Sequence, residues 1–590
     1  MRELSVPPTV GVADDDRLSD LVVDNAKEVP DLASLARPVP GGWTDVTAAE
    51  FAREVEAVAR GLMAAGVGQG DRVALMSTTR YEWTVLDFAI WWAGAVVVPV
   101  YETSSAEQVQ WILSDSGAVA MVVETDAHLG MVRALEVAPA LLWRIDELGA
   151  LAAAGATVST AEAEERRTSV RADDLATVVY TSGTTGRPKG CELTHRNLLA
   201  DVRAGVESLG AVFEQNGSTL LFLPLAHIFG RVVEIGAIMV RAKLAHCGDV
   251  RRLPEYLRSF RPTFLIAVPR VFEKAYNAAQ RTAYADGKAR VFDAAERTAI
   301  AYSRALQAGR VPLGLRLRHA VFERQVYARI RAALGGECRN AISGGAALGE
   351  RLGHFFRGIG VTVYEGYGLT ETSAGATLNL EEAIRVGTVG RPLPGTSVRI
   401  ADDGEILLRG PNVFPGYWRN PDATAEVLAD GWFRTGDLGE LDDDGFLTVT
   451  GRKKDLLVTS AGKNVAPSVL EDRMRAHPLV AQAVVVGDRQ PFIGCLVTID
   501  EEAWPGWLAA HGKPATGTVA ELREDPQLRA TIQEAVDAAN QAVSRAESIR
   551  EFRILPADFT EATGELTPSL KVRRDEVLER YADEVAAIYT

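Results

Sequence analysis

Tyr180-Thr-Ser-Gly-Thr-Thr-Gly-Arg-Pro-Lys-Gly190 is the stretch on which the reading of this chain turns. The apolar run that opens it, Leu175-Ala-Thr-Val-Val-Tyr180, predicts a buried strand delivering the chain into a loop. Gly183, Gly186 and Gly190 let backbone N–H groups turn inward and approach a ligand closely. Thr181, Ser182, Thr184 and Thr185 add hydroxyl donors, and Lys189 adds a compact positive charge. Donors, backbone freedom and one lysine describe a cradle for a polyphosphate. The common P-loop is a different object, because there a lysine directly follows the last glycine and a hydroxyl residue follows the lysine. Here Arg187 and Pro188 stand between Gly186 and Lys189, and Gly190 comes next. A plain solvent loop uses the same residue types, but not in so particular an order.

The chain around this loop has 590 residues, more than one compact core accommodates, and predicts at least two domains. Its 47% hydrophobic and 24% charged residues are those of an ordinary soluble enzyme. A net charge of −16 argues against nonspecific nucleic-acid binding, so no nucleic-acid partner is expected. Cys191, Cys247, Cys338 and Cys495 are far apart, with no C-x-x-C pair, which fits a reducing cytosol and neither a disulfide framework nor a zinc site. Met1 to Asp20 is polar and acidic rather than a secretory signal. The most apolar stretch, Phe88 to Val100, is shorter than the ~20 residues a bilayer span needs and reads as a buried helix running into a buried strand. The expected location is cytoplasmic, with peripheral contact at the inner membrane face left open.

From Thr44 to about residue 145 helix and strand patterns alternate. Val46-Thr-Ala-Ala-Glu50 predicts a capped helix start, and Arg72–Met76, Ala95–Pro99 and Ala118–Val123 predict buried strands, together a layered α/β domain. Residues 146–172, rich in Ala and Glu without a clear period, predict a surface connection. Thr194 is the expected N-cap of a helix reaching about Leu209. Leu220 to Gly230 predicts a strand ending in a histidine and an aromatic; taken alone, His227 reads as a satisfied core histidine. Phe264-Leu-Ile-Ala-Val-Pro-Arg-Val-Phe-Glu-Lys274 opens a mostly helical region to about Leu334. Between Arg270 and Arg331 this region carries thirteen basic and five acidic residues. That excess predicts solvated helix faces or a positive surface for coenzyme A phosphates or anionic lipid headgroups.

Further segments follow in order: Ala341-Ile-Ser-Gly-Gly-Ala-Ala-Leu348, a strand meeting a glycine turn, and Tyr364-Glu-Gly-Tyr-Gly-Leu-Thr-Glu371. Two hairpins turn at Asp402-Asp-Gly404 and Asp442-Asp-Asp-Gly445, with Asp430-Gly-Trp-Phe-Arg-Thr-Gly-Asp437 between them. Gly451-Arg-Lys-Lys-Asp455 marks a boundary by its change of character, and Thr459-Ser-Ala-Gly-Lys-Asn464 follows. Residues 465–590 read as mixed α/β, with helix, strand and hairpin through Ile499 and long helices after it. Leu566-Thr-Pro-Ser-Leu-Lys-Val-Arg-Arg574 lies near the end.

In this order the segments resemble those of the adenylate-forming superfamily, which includes acyl-CoA synthetases, peptide-synthetase adenylation domains and beetle luciferases; the likeness runs from about Thr44 to Arg574. The Val268-Pro-Arg-Val-Phe-Glu-Lys274 segment with its helical insertion, and the stretch from Asp430 to Lys454, resemble the long-chain fatty acid–CoA ligase branch of bacterial type. The resemblance implies an α/β fold: a large N-terminal adenylate-forming domain of layered sheets and helices (1–451, insertion about 270–334) and a small mobile C-terminal α/β domain (452–590). It implies phosphate binding by Thr181, Ser182, Gly183, Thr184, Thr185, Gly186 and Lys189. Gly345, Ala346, Tyr367, Gly368 and Thr370 would form the adenine segment, with the Tyr367 ring stacked on the base. Thr181 and Glu371 would hold Mg2+, Asp437 and Arg452 the ribose, and Lys454 would be the hinge. His227 would lie where the substrate carboxylate meets the nucleotide, and Lys571 would be the mobile catalytic lysine bridging carboxylate and α-phosphate, with Leu570 where a glycine is common.

The implied substrates are ATP, a long-chain fatty acid and coenzyme A. The alternative is a fatty acyl-AMP ligase that loads an acyl carrier protein, although no insertion after the hinge is evident. A nucleotide-binding regulator that has lost catalysis fits poorly with Lys189, Glu371, Asp437, Arg452 and Lys571 all present. His227, Ile228 and Phe229 offer no carboxylate for a substrate ammonium, which disfavours an amino-acid substrate. Rough spacing places Arg231 where some members close the acyl tunnel with a tryptophan, leaving gate and chain length open. Nothing in the sequence fixes an oligomeric state.

Overall fold

Leu175–Thr181 is a strand of a six-stranded sheet, flanked by Val96–Val100 in parallel and by Lys189–Thr194 in antiparallel register. The computed structural model describes residues 1–181, 187–210, 212, 217–460, 463–567 and 571–590. The strands on either side of the loop thus pair with each other, Thr181 opposite Lys189. Gly190 is required there: a Cβ would come within 2.7 Å of Val178 and 3.2 Å of Trp418. The rest of this sheet, Leu141–Arg144, Ala120–Val123, Arg72–Met76 and Val96–Val100, is parallel throughout. Its strands are near-continuous apolar runs because helices cover both faces.

A second sheet runs Phe264–Ala267, Asn340–Ser343 and Thr362–Tyr367 in parallel, then Thr377–Leu378 and Arg391–Pro392 antiparallel. A third is built from the expected hairpins, Ser397–Ile400 with Glu405–Arg409 and Trp432–Leu441 with Leu447–Arg452. These layers share one apolar core. Beyond Asp455 a small three-stranded sheet, Val480–Val486, Ile493–Ile499 and Ile549–Ile554, has its own core. Helices Pro467–Arg475 and Pro526–Asn540 cover one face, and the terminal helices Arg574–Arg580 and Ala582–Tyr589 cover the other. A large layered N-terminal domain followed by a small C-terminal one is the fold the sequence predicts.

Local signals explain the elements. Thr47 and Glu50 form a reciprocal capping box, and Thr194 caps helix His195–Ser208 with Asn197 answering. All four cysteines are free and buried. Three expectations need correction. Residues 146–172 contain helices Leu148–Ala154 and Thr160–Ser169; the second starts at a Ser159–Glu162 capping box, and its period is faint because few of its residues are buried. The expected strand to Gly230 ends at Leu221, and His227 instead caps helix Ile228–Met239. A helix apolar on most sides and a buried strand look alike in sequence. Strand Ile549–Ile554 was not foreseen among the C-terminal helices.

Part of the basic surplus is structural. The helix Pro269–Ala285 docks on the C-terminal domain: Arg270 donates to the Ala481 carbonyl at 3.0 Å, and Arg281 and Lys274 pair with Glu502 at 3.0 and 3.5 Å. Nearby, Glu365 on Thr362–Tyr367 is buried and accepts from the Leu348 N–H at 3.0 Å. Burial, reinforced by Asp472, raises its carboxyl from 4.5 to about 7. A raised carboxyl contributes stability that is present below pH 4.5 and lost as pH rises through about 7. Glu365→Gln is therefore expected to match the parent near pH 4.5 and to exceed it by up to ~3 kcal/mol near pH 8, read as unfolding midpoints across pH. Identical pH–stability curves for the two proteins would refute this.

Candidate active site

The carboxyl ends of Leu175–Thr181, Phe264–Ala267, Asn340–Ser343 and Thr362–Tyr367 open onto a cavity of about 810 Å³. Crevices at the ends of parallel strands are where open α/β sheets bind ligands. One part of the lining is apolar, supplied by Val202, Val206, Leu209, Val232, Val233 and Ala237. The other part is polar and collects Thr181, Lys189, Glu371, Asp437, Arg452 and Lys571. Residues distant in sequence therefore share one concave surface, with an apolar arm at one side.

Register builds the carboxylate at its centre. Asp437 lies opposite Arg452 in the hairpin Trp432–Leu441/Leu447–Arg452, which brings the guanidinium Nε to 3.0 Å from Oδ1. Its Oδ2 accepts from the Tyr367 hydroxyl at 2.7 Å, and its N–H donates to Thr435 Oγ1 at 3.0 Å. Both carboxylate oxygens are thus aimed, and Asp437 is buried. Tyr367 ends the strand Thr362–Tyr367 between Gly366 and Gly368. At Gly368 a Cβ would fall 1.9 Å from the Ala374 carbonyl oxygen, so only glycine allows that close approach.

Glu371 Oε1 accepts from the Tyr417 hydroxyl at 2.8 Å, and the Lys189 ammonium lies 5.2 Å over the same Tyr417 ring. Thr181 and Glu371 supply a hydroxyl and a carboxylate to one cavity, a donor set of hard oxygens that suits Mg2+ with phosphates completing its shell. Among the described residues no cluster of three or more His, Cys, Asp or Glu stands ready to hold a metal alone.

His227 caps its helix by accepting the Phe229 N–H at Nδ1, 3.1 Å. That bond leaves the proton of a neutral ring on Nε2. Burial and the nearby Lys571 charge depress the imidazole to about 3, so it is neutral at pH 7. Lys571 comes from the C-terminal domain. Its backbone N–H donates to Thr567 Oγ1 at 3.0 Å, its carbonyl accepts from the Thr567 N–H at 2.8 Å, and Leu566 bridges Val572. Lys571 stays exposed to the cavity, but partial desolvation by the cavity walls and the Arg452 guanidinium hold its ammonium below the usual lysine range, against the pull of Asp437 and Glu371.

Gly345, Gly368, Thr370 and Lys454 also line the cavity, whereas Ala346 is exposed and outside its lining. Ser182, Gly183, Thr184, Thr185 and Gly186 lie outside the described residues. Arg231 is absent from the lining and fully buried. Tyr417, Thr435 and Arg573 are among the lining residues that the sequence does not single out. Thr435 and Arg573 stood inside segments already quoted. Tyr417 sits in Phe414-Pro-Gly-Tyr-Trp418, a turn-like aromatic run whose only signal was its composition.

A layered domain whose strand ends surround such a cavity, closed by a small domain that lends it a lysine, is the architecture of an adenylate-forming enzyme. The AMP-binding enzyme profile matches residues 22–418, and that of the AMP-binding enzyme C-terminal domain matches residues 454–590. The chain belongs to the AMP-binding enzyme family. It is 52% identical over 597 aligned residues, covering 100% of both chains, to long-chain-fatty-acid–CoA ligase FadD15 of Mycobacterium bovis, and 51% identical over the same span to its Mycobacterium tuberculosis counterpart. Among solved structures, anthranilate CoA ligase AuaEII with anthranoyl-AMP aligns with a TM-score of 0.73 at 20% identity, covering 98% of this chain and 99% of that one. A Mycobacterium tuberculosis fatty acyl CoA synthetase aligns with 0.62 at 23% identity, covering 96% and 99%. At these identities the structural matches speak for the fold alone.

Proposed function

We propose that this protein is a long-chain fatty acid–CoA ligase of bacterial type, converting ATP, a long-chain fatty acid and coenzyme A into AMP, diphosphate and acyl-CoA. What carries the reading, beside the full-length identity to named ligases, is a single cavity joining an apolar arm to a phosphate-side lysine, with His227 and Lys571 close together within it. In the first step a carboxylate oxygen of the acid attacks the α-phosphorus of ATP, an acyl–phosphate anhydride forms, and diphosphate leaves. In the second the coenzyme A thiol attacks the acyl carbon, loses its proton, and displaces AMP.

The residues act by alignment and charge. Lys189 and the loop Thr181–Gly186 hold the phosphates. Asp437, oriented by Arg452 and Tyr367, receives the ribose hydroxyls, while Gly345, Gly368 and Thr370, which line the cavity as Ala346 does not, frame the adenine. The neutral His227 presents Nε2–H to the substrate carboxylate, a donor that leaves the nucleophile its negative charge. Lys571 bridges that carboxylate and the α-phosphate. Mg2+ on Thr181 and Glu371 would neutralise phosphate charge. We place the domain boundary at 451/452, with Lys454 as hinge, the small domain rotating between half-reactions and Thr459–Asn464 serving the second.

The test follows diphosphate, AMP and thioester by mass spectrometry, using purified protein, ATP, Mg2+ and saturated acids of about 8 to about 20 carbons, with and without coenzyme A. Coenzyme-A-dependent AMP and acyl-CoA that peak with long chains are expected. Diphosphate and bound acyl-AMP without thioester would assign a carrier protein as acceptor. No diphosphate with any acid would overturn the substrate class.

A further inference from the structure

Helix Leu313–Phe322, in the insertion, turns an apolar stripe to solvent. Leu313, Leu317 and Val321 are 77%, 71% and 57% exposed, and their spacing of four residues puts them along one side of the helix. The opposite side is already anchored. Leu315 is buried, and the His319 ring stacks on Tyr302 at a centroid distance of 4.0 Å while its Nε2 lies 2.6 Å from the Gly358 carbonyl oxygen. The helix is therefore held with its stripe outward.

Charge surrounds the stripe. At 100° per residue Arg316 and Arg318 flank it on either side, Arg324 follows three residues beyond Val321, and Arg310 precedes the helix. All four are exposed, and none forms an ion pair among the described residues. Of the other arginines in this region, Arg270 and Arg281 dock the C-terminal domain, Arg304 pairs with Glu350 and Arg331 pairs with Glu323, whereas Arg290, Arg297 and Arg329 are exposed. Four arginines without an ion pair among the described residues thus lie beside the most exposed aliphatic side chains of the region.

We infer that this helix is the surface by which the protein docks on an anionic lipid bilayer. Leu313, Leu317 and Val321 enter the headgroup–acyl boundary, and Arg310, Arg316, Arg318 and Arg324 meet lipid phosphates. Two-fold self-association through the same patch would bring the arginines of two copies together, a like-charge conflict that an anionic membrane removes. With a net charge of −16 the rest of the molecule is repelled by such a membrane, so the basic patch also sets the orientation of approach.

Flotation of the full-length protein with vesicles of phosphatidylcholine, alone or with added phosphatidylglycerol, tests the inference. The protein is expected to float with the anionic vesicles, less so as salt rises. Leu313→Asn/Leu317→Asn/Val321→Asn and Arg316→Gln/Arg318→Gln/Arg324→Gln should each weaken binding by at least roughly tenfold with unchanged unfolding midpoints. No flotation of the parent, or undiminished flotation of both variants, would overturn the proposal. So would a parent dimer that the aliphatic variant dissociates, which would give the stripe to a second copy.

Discussion

Lys571→Ala is expected to slow acyl-adenylate formation by on the order of 10²–10³-fold, while thioester formation from supplied acyl-AMP and coenzyme A stays within about threefold of the parent. The lysine is held at the cavity by the Leu566–Val572 bridge and by the paired bonds between Thr567 and Lys571. Pinned in this way, its ammonium meets the phosphate side of the cavity beside Arg452, and the removal of one oriented charge is felt in the transition state where charge moves onto the departing phosphate. Its affinity for protons is lowered by partial desolvation at the cavity wall and by Arg452, so the first step should also fall off as pH rises through a value below that of ordinary lysine. The two steps are separated by measuring diphosphate release from ATP and AMP release from synthetic acyl-AMP. Loss of both would make Lys571 a structural residue, and loss of neither would move the bridging charge elsewhere.

What the sequence disclosed about this site follows a physical rule. The strand Leu175–Thr181 was legible because a β-branched run stops abruptly at glycines and hydroxyls, and the capped helix after Thr47 because its box is local. Asp437 and Arg452 were picked as two ribose contacts by resemblance, but their mutual 3.0 Å contact follows from hairpin register, which composition alone does not disclose. Tyr417 was missed for a related reason: its hydroxyl bonds a carboxylate 46 positions away, and an aromatic beside Pro and Gly looks like any turn packing on a core. His227 was placed at a strand end because apolar residues continue on both sides of it; its capping bond to Phe229, which decides its tautomer, exists only once the helix turns.

Arg231 shows where spacing alone misleads. Counting residues from His227 put it at the mouth of an acyl tunnel, yet helix Ile228–Met239 directs Val232, Val233, Gly236 and Ala237 into the cavity and Arg231 away from it. The guanidinium is fully buried, 3.0 Å from the Asp87 carboxylate and over the Trp91 ring at 5.3 Å, and it donates to Thr177 Oγ1 at 2.8 Å. Thr177 belongs to the strand that feeds the phosphate loop, so this arginine ties the helix of the apolar arm to the frame of the phosphate site. Glu234 is buried beside the pair, and burial together with the Asp87 charge drives its carboxyl far above the usual range, leaving Arg231 and Asp87 to balance each other. Arg231→Met should therefore strand a buried carboxylate and cost ~3–5 kcal/mol, whereas Arg231→Met/Asp87→Leu should recover most of that loss. Urea unfolding of the parent and both variants decides it. A single variant as stable as the parent would show that Asp87 is held neutral, and a double variant no better than the single would show that the arginine stabilises through Trp91 and Thr177 rather than through charge.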